Sequence, residues 1–329
     1  MENKINVPHE TIESSELAKP KTISHYIHAA TADNTRKAYQ NDIKQFISWG
    51  GLLPATADVL AAYLHDNADI LNPRTLTRRL TAIKQWHTCQ GFSDPTANAS
   101  VRKTLSGIYH IHGKVEEKAP ALSTEQLLLL VSSLQTRGQF ADWRDNALLQ
   151  VGFFGAFRRS ELSAMSWEHI SFVEQGVEIL VPRSKTDQIG KGQVCAIPNG
   201  SAQLCAVKAL KQWQEISGQN SGAIFRAITK NNTLRSQALA PSSISVIIKQ
   251  HAIACHLPNA QTYSGHSLRR GFATAASQKG ASFGAIMRQG RWKHEGTVHG
   301  YVEEGQRFDR NAANAIFNEV KAKDNYDGN

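Results

Sequence analysis

The sequence predicts a mainly α chain with a small β-sheet, built as an all-helical N-terminal domain followed by an α+β domain. Three observations carry that reading. Apolar residues recur at helical spacing over most of 34–112 and again over most of 123–329. One segment breaks the pattern: GVEILVPRSKTDQIGKGQVCAIP reads as two short strands, 177–183 and 192–197, around a turn containing Gly and Lys. Between the helical blocks, HGKVEEKAPALS (112–123) is charged, holds a Gly and a Pro and has no periodicity, which predicts a linker over 113–122.

The elements follow in order. Residues 1–20 are polar and of mixed charge, and predict a disordered tail ahead of a helical domain over 21–112. In TRKAYQNDIKQFISWG, Tyr39, Ile43, Phe46 and Ile47 share a face and Gly50-Gly51 stops the helix. PRTLTRRLTAIKQWHTCQG runs from Pro73 to Gly91, with an apolar stripe of Leu76, Leu80, Ile83 and Trp86; Arg74, Arg78 and Arg79 lie off it. In DPTANASVRKTLSGIYHIH, the Asp-Pro pair reads as N-cap and first helical position. The second domain, 123–329, opens with Ser123 and Gln126 as a capping box. Further helices are predicted near 200–217, 241–255, 267–279 and 282–289. A last one over 308–320 sets Ala312, Ala313, Ile316, Phe317 and Val320 on one face, for packing within the chain or docking on a neighbouring subunit.

Composition narrows the function classes. The 329 residues are 41% hydrophobic, enough for real cores, and 37 Lys and Arg against 28 Asp and Glu leave a net charge of +9. That balance favours a polyanionic partner. Cys89, Cys195, Cys205 and Cys255 are scattered without metal-ligand spacing, which argues against structural zinc and for a reducing compartment. No apolar stretch has the length of a membrane span or the form of a signal peptide, so a soluble, cytoplasmic protein is expected.

Four places hold polar residues that their surroundings do not explain. In GFFGAFRRSELSAM an apolar run is cut by Arg158, with Glu161 three residues on, in reach on a helix. PRSKT puts Lys185 in the turn after a strand, and Lys191 in the same turn is an equal local candidate. GHSLRRGFATAASQ opens a helix that Ser264 or Ser267 can cap, with a buried stripe of Leu268, Phe272 and Ala275. His266 faces away from that stripe, and both Arg269 and Arg270 can share its side. The small residues Gly271, Ala273 and Ala275 are expected to leave room for a bulky partner. RQGRWKHEGTVHGYVEE gathers Trp292, His294, His299 and Tyr301. Together these residues suit a phosphodiester. Two arginines clamp phosphate oxygens, a lysine protonates the leaving oxygen, a histidine handles the nucleophile's proton and a tyrosine attacks phosphorus. Fixed cations then do the work of divalent ions, and no metal or other cofactor is expected.

In order and spacing these residues resemble the tyrosine recombinases of the phage integrase family, and among them the Cre-like simple recombinases, over about 34–320. The matching pieces are Arg158-Arg-Ser-Glu161, Arg-Ser-Lys185-Thr, His266-Ser-Leu-Arg269, and Trp292 with Tyr301 nine residues on. The resemblance implies a core DNA-binding domain and a catalytic domain, a C-shaped clamp on duplex DNA. It implies Tyr301, not Tyr263 or Tyr326, as nucleophile, Arg158 and Arg269 as the phosphate clamp, and Lys185 as acid. Trp292 then supports the phosphate, Glu161 orients Arg158 or His266, and Arg270, His294 and His299 are secondary. It further implies a homotetramer on two paired inverted-repeat sites, with the 308–320 helix exchanged between subunits, and strand exchange through a Holliday junction. Candidate DNA contacts are Lys37, Arg74, Thr77 and Arg78 in the first domain and Ser242, Ser243, Ser245 and Lys249 in the second. Two departures stand out. Gly155 sits one position earlier than the usual Gly-Leu-Arg, and only about twenty polar residues precede Tyr26 and Ile27, so an accessory arm-binding domain is not expected. A type IB topoisomerase uses a similar residue set, and a non-catalytic DNA-binding regulator is the other rival.

Overall fold

The computed structural model describes residues 33–115, 117–182, 192–308, 311–314 and 316–317. The chain divides into two compact units, Met1–Glu116 and Glu117–Asn329.

The first unit holds α1 (Asp33–Trp49), α2 (Ala57–Asp66), α3 (Pro73–Cys89) and α4 (Ala99–His112). Phe46, Leu60, Tyr63, Leu64, Leu76, Leu80 and Ile83 form its core. Asn72 caps α3, its Oδ1 accepting from the Arg74 N–H at 2.9 Å, with Pro73 in the first turn. Three details depart from expectation. The α3 stripe continues to His87 and not to Trp86. His87 Nε2 accepts from the Ala55 N–H at 2.9 Å, so Nδ1 carries the proton and donates to the Ile83 carbonyl at 2.8 Å. A buried histidine with both nitrogens satisfied fits where spacing alone favours the larger apolar ring. On α1, Ile47 is exposed while Asp42 is fully buried, held by the Arg78 fork across the interhelical gap. Asp94 caps only a short 3₁₀ turn, Pro95–Ala97, and Asn98 is the cap of α4.

The second unit holds α5 (Thr124–Arg137), α6 (Phe140–Phe154), α7 (Arg159–Ser163), α8 (Ala206–Ser217), α9 (Pro241–Ala254), α10 (Gly265–Gln278), α11 (Phe283–Gly290) and α12 (Glu295–Gly305). The Ser123–Gln126 capping box of α5 forms on both sides. Strands β2 (Gly176–Val181) and β3 (Gln193–Pro198) pair antiparallel, Val181 opposite Gln193. The strand β1 (Ile170–Val173) completes a three-stranded sheet in the order β1-β2-β3, and β4 (Arg226–Ile228) pairs with β5 (Leu234–Ala238). These three strands are too short to carry a readable alternation. Helix α8 starts at Ala206, not near 200. Over 200–205 the chain folds back on itself, and a Cβ on Gly200 would lie 2.0 Å from the Leu204 carbonyl oxygen. Helix α12 has no counterpart in the sequence reading. Gly296, Gly300 and Gly305 depress its propensity, and it is held by packing: a Cβ on Gly305 would come within 2.9 Å of the Thr274 carbonyl oxygen.

The end of the predicted linker is packed. Leu122 is fully buried and its N–H donates to the Ser267 carbonyl at 3.0 Å. Gly271 on α10 makes this approach feasible, because a Cβ there would sit 2.0 Å from the Leu122 carbonyl oxygen and 2.9 Å from the Phe153 ring. Gly271→Ala is therefore expected to destabilise the chain by about 1–3 kcal/mol, the usual cost of overpacking. A chemical-denaturation midpoint checks this, and an unchanged midpoint contradicts the packing.

Candidate active site

The site is assembled at the C-terminal end of α6. That helix stops at Phe154, and Ala156 turns the chain in the left-handed region, φ 46°. The last carbonyls of a 15-residue helix are left outside its ladder, at its negative pole. Gln289 Nε2 donates to the Phe154 carbonyl at 2.9 Å, Arg291 Nη2 to Gly155 at 3.1 Å, and Arg269 Nη1 to Ala156. Two buried guanidinium groups are thus seated on one helix end.

Arg158 follows at once, as the N-cap of α7. Its backbone N–H donates to Glu161 Oε2 at 3.0 Å and its Nη1 to Oε1 at 2.6 Å. The predicted contact forms, but as a capping box at a helix start and not as a pair along a helix face. Arg291 Nη2 reaches the same Oε2 at 3.1 Å. Burial pushes the Glu161 pKa up, but Arg291, then the N–H and guanidinium of Arg158, outweigh it and hold the carboxyl below its usual range.

Arg269 and Arg270, tied by helix geometry, part company here. Arg269 is only 4% exposed and lies over Trp292, its guanidinium carbon 3.9 Å from the ring centroid. Trp292 in turn meets the Tyr301 ring edge-on at 6.1 Å. Burial, and then the Arg158 charge, push the Arg269 pKa down to about 9, against an upward pull from Glu161 and Tyr301. Its Nη2 is buried and has no hydrogen-bond partner among the described residues. Arg270 instead donates to the Ala119 carbonyl and to Glu304 on α12, and its guanidinium lies 5.5 Å from the Tyr301 ring centroid. It ties the 117–122 segment to the tyrosine-bearing helix.

Arg158, Glu161, Arg269, Trp292 and Tyr301 are therefore brought into one neighbourhood. His266 is exposed in the first turn of α10, one turn ahead of Arg269, and Ser264 is the cap, accepting from the His266 N–H at 3.3 Å. Ser267 completes the capping box. The small residues of this helix do not leave room for an outside partner. Gly271 and Ala273 are buried, and the space beside them is filled by Leu122, Phe153 and the packing of Ile286, Trp292 and Val298. Tyr263 is buried, with its hydroxyl donating to Gln126 Oε1 at 3.2 Å. His294 is an exposed cap residue and His299 stacks on Phe283 at 4.4 Å. Lys185, its rival Lys191 and Tyr326 lie outside the described residues. Arg291 and Gln289 escaped the sequence reading. Both sit among other polar residues in RQGRW, where spacing marks none as buried.

The sequence profile of the phage integrase family matches residues 120–321, the span that holds Arg158, Glu161, His266, Arg269, Arg291, Trp292 and Tyr301. The chain belongs to this family. It is a tyrosine recombinase. It is 40% identical over 297 residues to the integrase/recombinase xerD homolog of Selenomonas ruminantium, covering 87% of this chain and 86% of that one. It is 25% identical over 280 residues to tyrosine recombinase XerC of Pseudomonas putida, covering 78% and 80%. Among solved structures it resembles the XerH site-specific recombinase bound to palindromic difH substrate in a post-cleavage complex. The TM-score there is 0.60 at 17% identity, over 85% of this chain and 78% of that one. A lambda integrase tetramer bound to a Holliday junction shares the fold at a TM-score of 0.58 and 17% identity, over 84% and 74%.

The candidate DNA contacts of this recombinase are unequally placed. Lys37 and Arg74 are exposed. Thr77 is exposed, but its hydroxyl bonds the Pro73 carbonyl at 3.1 Å and lies 2.9 Å from the Tyr109 hydroxyl. Arg78 keeps a half-exposed side chain while its Nε and Nη2 hold the Asp42 carboxylate at 2.9 and 2.8 Å, so part of its fork is structural. On α9, Ser242 is exposed, whereas Ser243, Ser245 and Lys249 are half-buried. Ser245 accepts from the Gly265 N–H at 3.4 Å, which joins α9 to the start of α10.

Proposed function

We propose that this recombinase is a site-specific enzyme that cuts and rejoins duplex DNA through a 3′-phosphotyrosine on Tyr301. The observation that carries the reading is Arg269: a cation held almost wholly buried over Trp292, beside Arg158, with one donor unpaired among the described residues and Tyr301 in its field. A buried, unpaired donor is costly unless an acceptor arrives. A scissile phosphate between Arg158 and Arg269 supplies one.

The steps follow. The Tyr301 hydroxyl attacks phosphorus, and its proton passes to His266. The bond from phosphorus to the 5′-oxygen breaks, and Lys185 protonates that oxygen. The two guanidiniums stabilise the charge that builds on the non-bridging oxygens. The free 5′-hydroxyl of a partner strand then attacks the phosphotyrosine, releasing Tyr301 and leading through a Holliday junction. One phosphodiester is exchanged for another, so no ATP enters the balance, and the fixed arginines take the role of metal ions. Lys37, Arg74, Thr77, Arg78, Ser242, Ser243, Ser245 and Lys249 are proposed to contact the duplex.

The active assembly is proposed to be a homotetramer on two inverted-repeat sites. Ile316 and Phe317, on the apolar face of the chain end, are 64% and 59% exposed, as an exchanged segment requires. Recombination between two plasmids carrying the target site is expected to proceed with EDTA present and ATP absent. Removing residues 308–320 should preserve binding to one site and abolish recombination. Dependence on ATP or a divalent ion sinks the mechanism, and recombination by the shortened chain sinks the exchange.

A further inference from the structure

Arg291 stands outside the residues assigned above. It closes α11 in the left-handed region, φ 56° and ψ 42°, where side chains other than glycine are disfavoured. Its side chain is only 3% exposed. An unfavourable backbone state kept for a buried charge calls for a function of that charge. The guanidinium lies 4.3 Å from the Phe157 ring centroid. Its Nη1 donates to the Gln289 carbonyl at 2.8 Å, and its Nη2 to the Gly155 carbonyl and to Glu161 Oε2, both at 3.1 Å. Both terminal nitrogens of Arg291 are thus engaged within the protein, unlike Nη2 of Arg269, so neither is left for a phosphate. Arg291 acts through Glu161.

Glu161 faces two cations. Arg158 bonds Oε1 through its guanidinium, and Arg291 takes Oε2. With Arg158 alone, the pair is formally neutral, and the charge meant for phosphate is taken up by the carboxylate. With Arg291 present, the group of three keeps a net positive charge, on the more exposed member: the Arg158 side chain is 16% exposed, against 2% for Glu161. We infer that Arg291 is a positioning residue for cleavage, whose guanidinium neutralises Glu161 and leaves Arg158 oriented and charged for the phosphate. This rests on the reading of Arg158 as a phosphate clamp.

The test is single-turnover formation of the covalent adduct at saturating DNA, with the DNA dissociation constant measured separately. Arg291→Gly suits the backbone and removes the charge. It is expected to slow adduct formation about 100-fold, the scale of a misplaced reacting group, with DNA affinity within about threefold. In a Glu161→Gln chain the same substitution is expected to matter by less than about threefold, since no carboxylate is left to neutralise. Arg291→Lys keeps the charge, and its rate is expected to stay within about tenfold of the unsubstituted chain. It also carries the test if the glycine variant fails to fold. Undiminished cleavage by Arg291→Gly, an equal loss in both backgrounds, or a lysine variant that melts normally yet is as slow as the glycine one overturns the inference. An unsubstituted chain that forms no adduct overturns the function proposed above, and this inference with it.

Discussion

A Tyr301→Phe chain is expected to bind duplex DNA and form no covalent adduct. Loss of a covalent nucleophile costs a factor on the order of 10⁶ in rate, far beyond any other single change here. Binding should change little, because among the described residues Tyr301 is held by its ring and its hydroxyl makes no hydrogen bond. The ring meets Trp292 at 6.1 Å and Arg270 at 5.5 Å, and Phe keeps both contacts. A gel that separates adduct from free DNA reads the first effect, and a filter or anisotropy titration the second. Tyr263→Phe serves as the contrast: its hydroxyl is bonded to Gln126 inside the fold, so adduct formation should persist.

Arg269→Met is expected to abolish most cleavage while leaving the chain at least as stable as before. The loss should be on the order of 10²–10³ in rate, typical of a preorganised donor to a developing oxyanion. The stability claim follows from the direction of the pKa shift. The folded-state pKa, about 9, lies below that of the unfolded guanidinium, so the unfolded chain binds this proton more tightly. The charged group therefore costs stability at every pH below about 9, and the cost is relieved only as pH rises through that value. Methionine fills similar volume, keeps a contact with Trp292 and brings no charge. A thermal melt at neutral pH that falls well below that of the unsubstituted chain contradicts this, as does retained cleavage. Such a trade of stability for activity is what a site kept for a phosphate should show.

Much of this was legible in the sequence. Helical periodicity located α1, α3, α5, α9 and α10, and the interrupted apolar run around Arg158 marked the buried polar corner. What escaped has a common physical cause. Helix α12 carries three glycines and is made by packing on α10, so propensity argues against it. Asp42 and His87 occupy core positions because partners distant in sequence satisfy them, Arg78 for one and Ala55 for the other. Arg269 and Arg270 are adjacent and equal on a helical wheel. Only the third dimension separates the one seated on the α6 terminus from the one bridging Ala119 and Glu304. Arg291 is the clearest case, a buried charge in a polar run whose partner, Glu161, lies 130 residues away in sequence.

The measurement that bears most directly on the central claim is peptide mapping of the covalent adduct. A nicked duplex that traps the cleaved strand is incubated with the unsubstituted chain, digested and sequenced by mass spectrometry. The nucleotide is expected on the peptide containing Tyr301, joined through a 3′-phosphate with a free 5′-hydroxyl on the other strand end. A 5′-phosphate linkage, attachment at any other residue, or cleavage with no protein-bound nucleotide contradicts it.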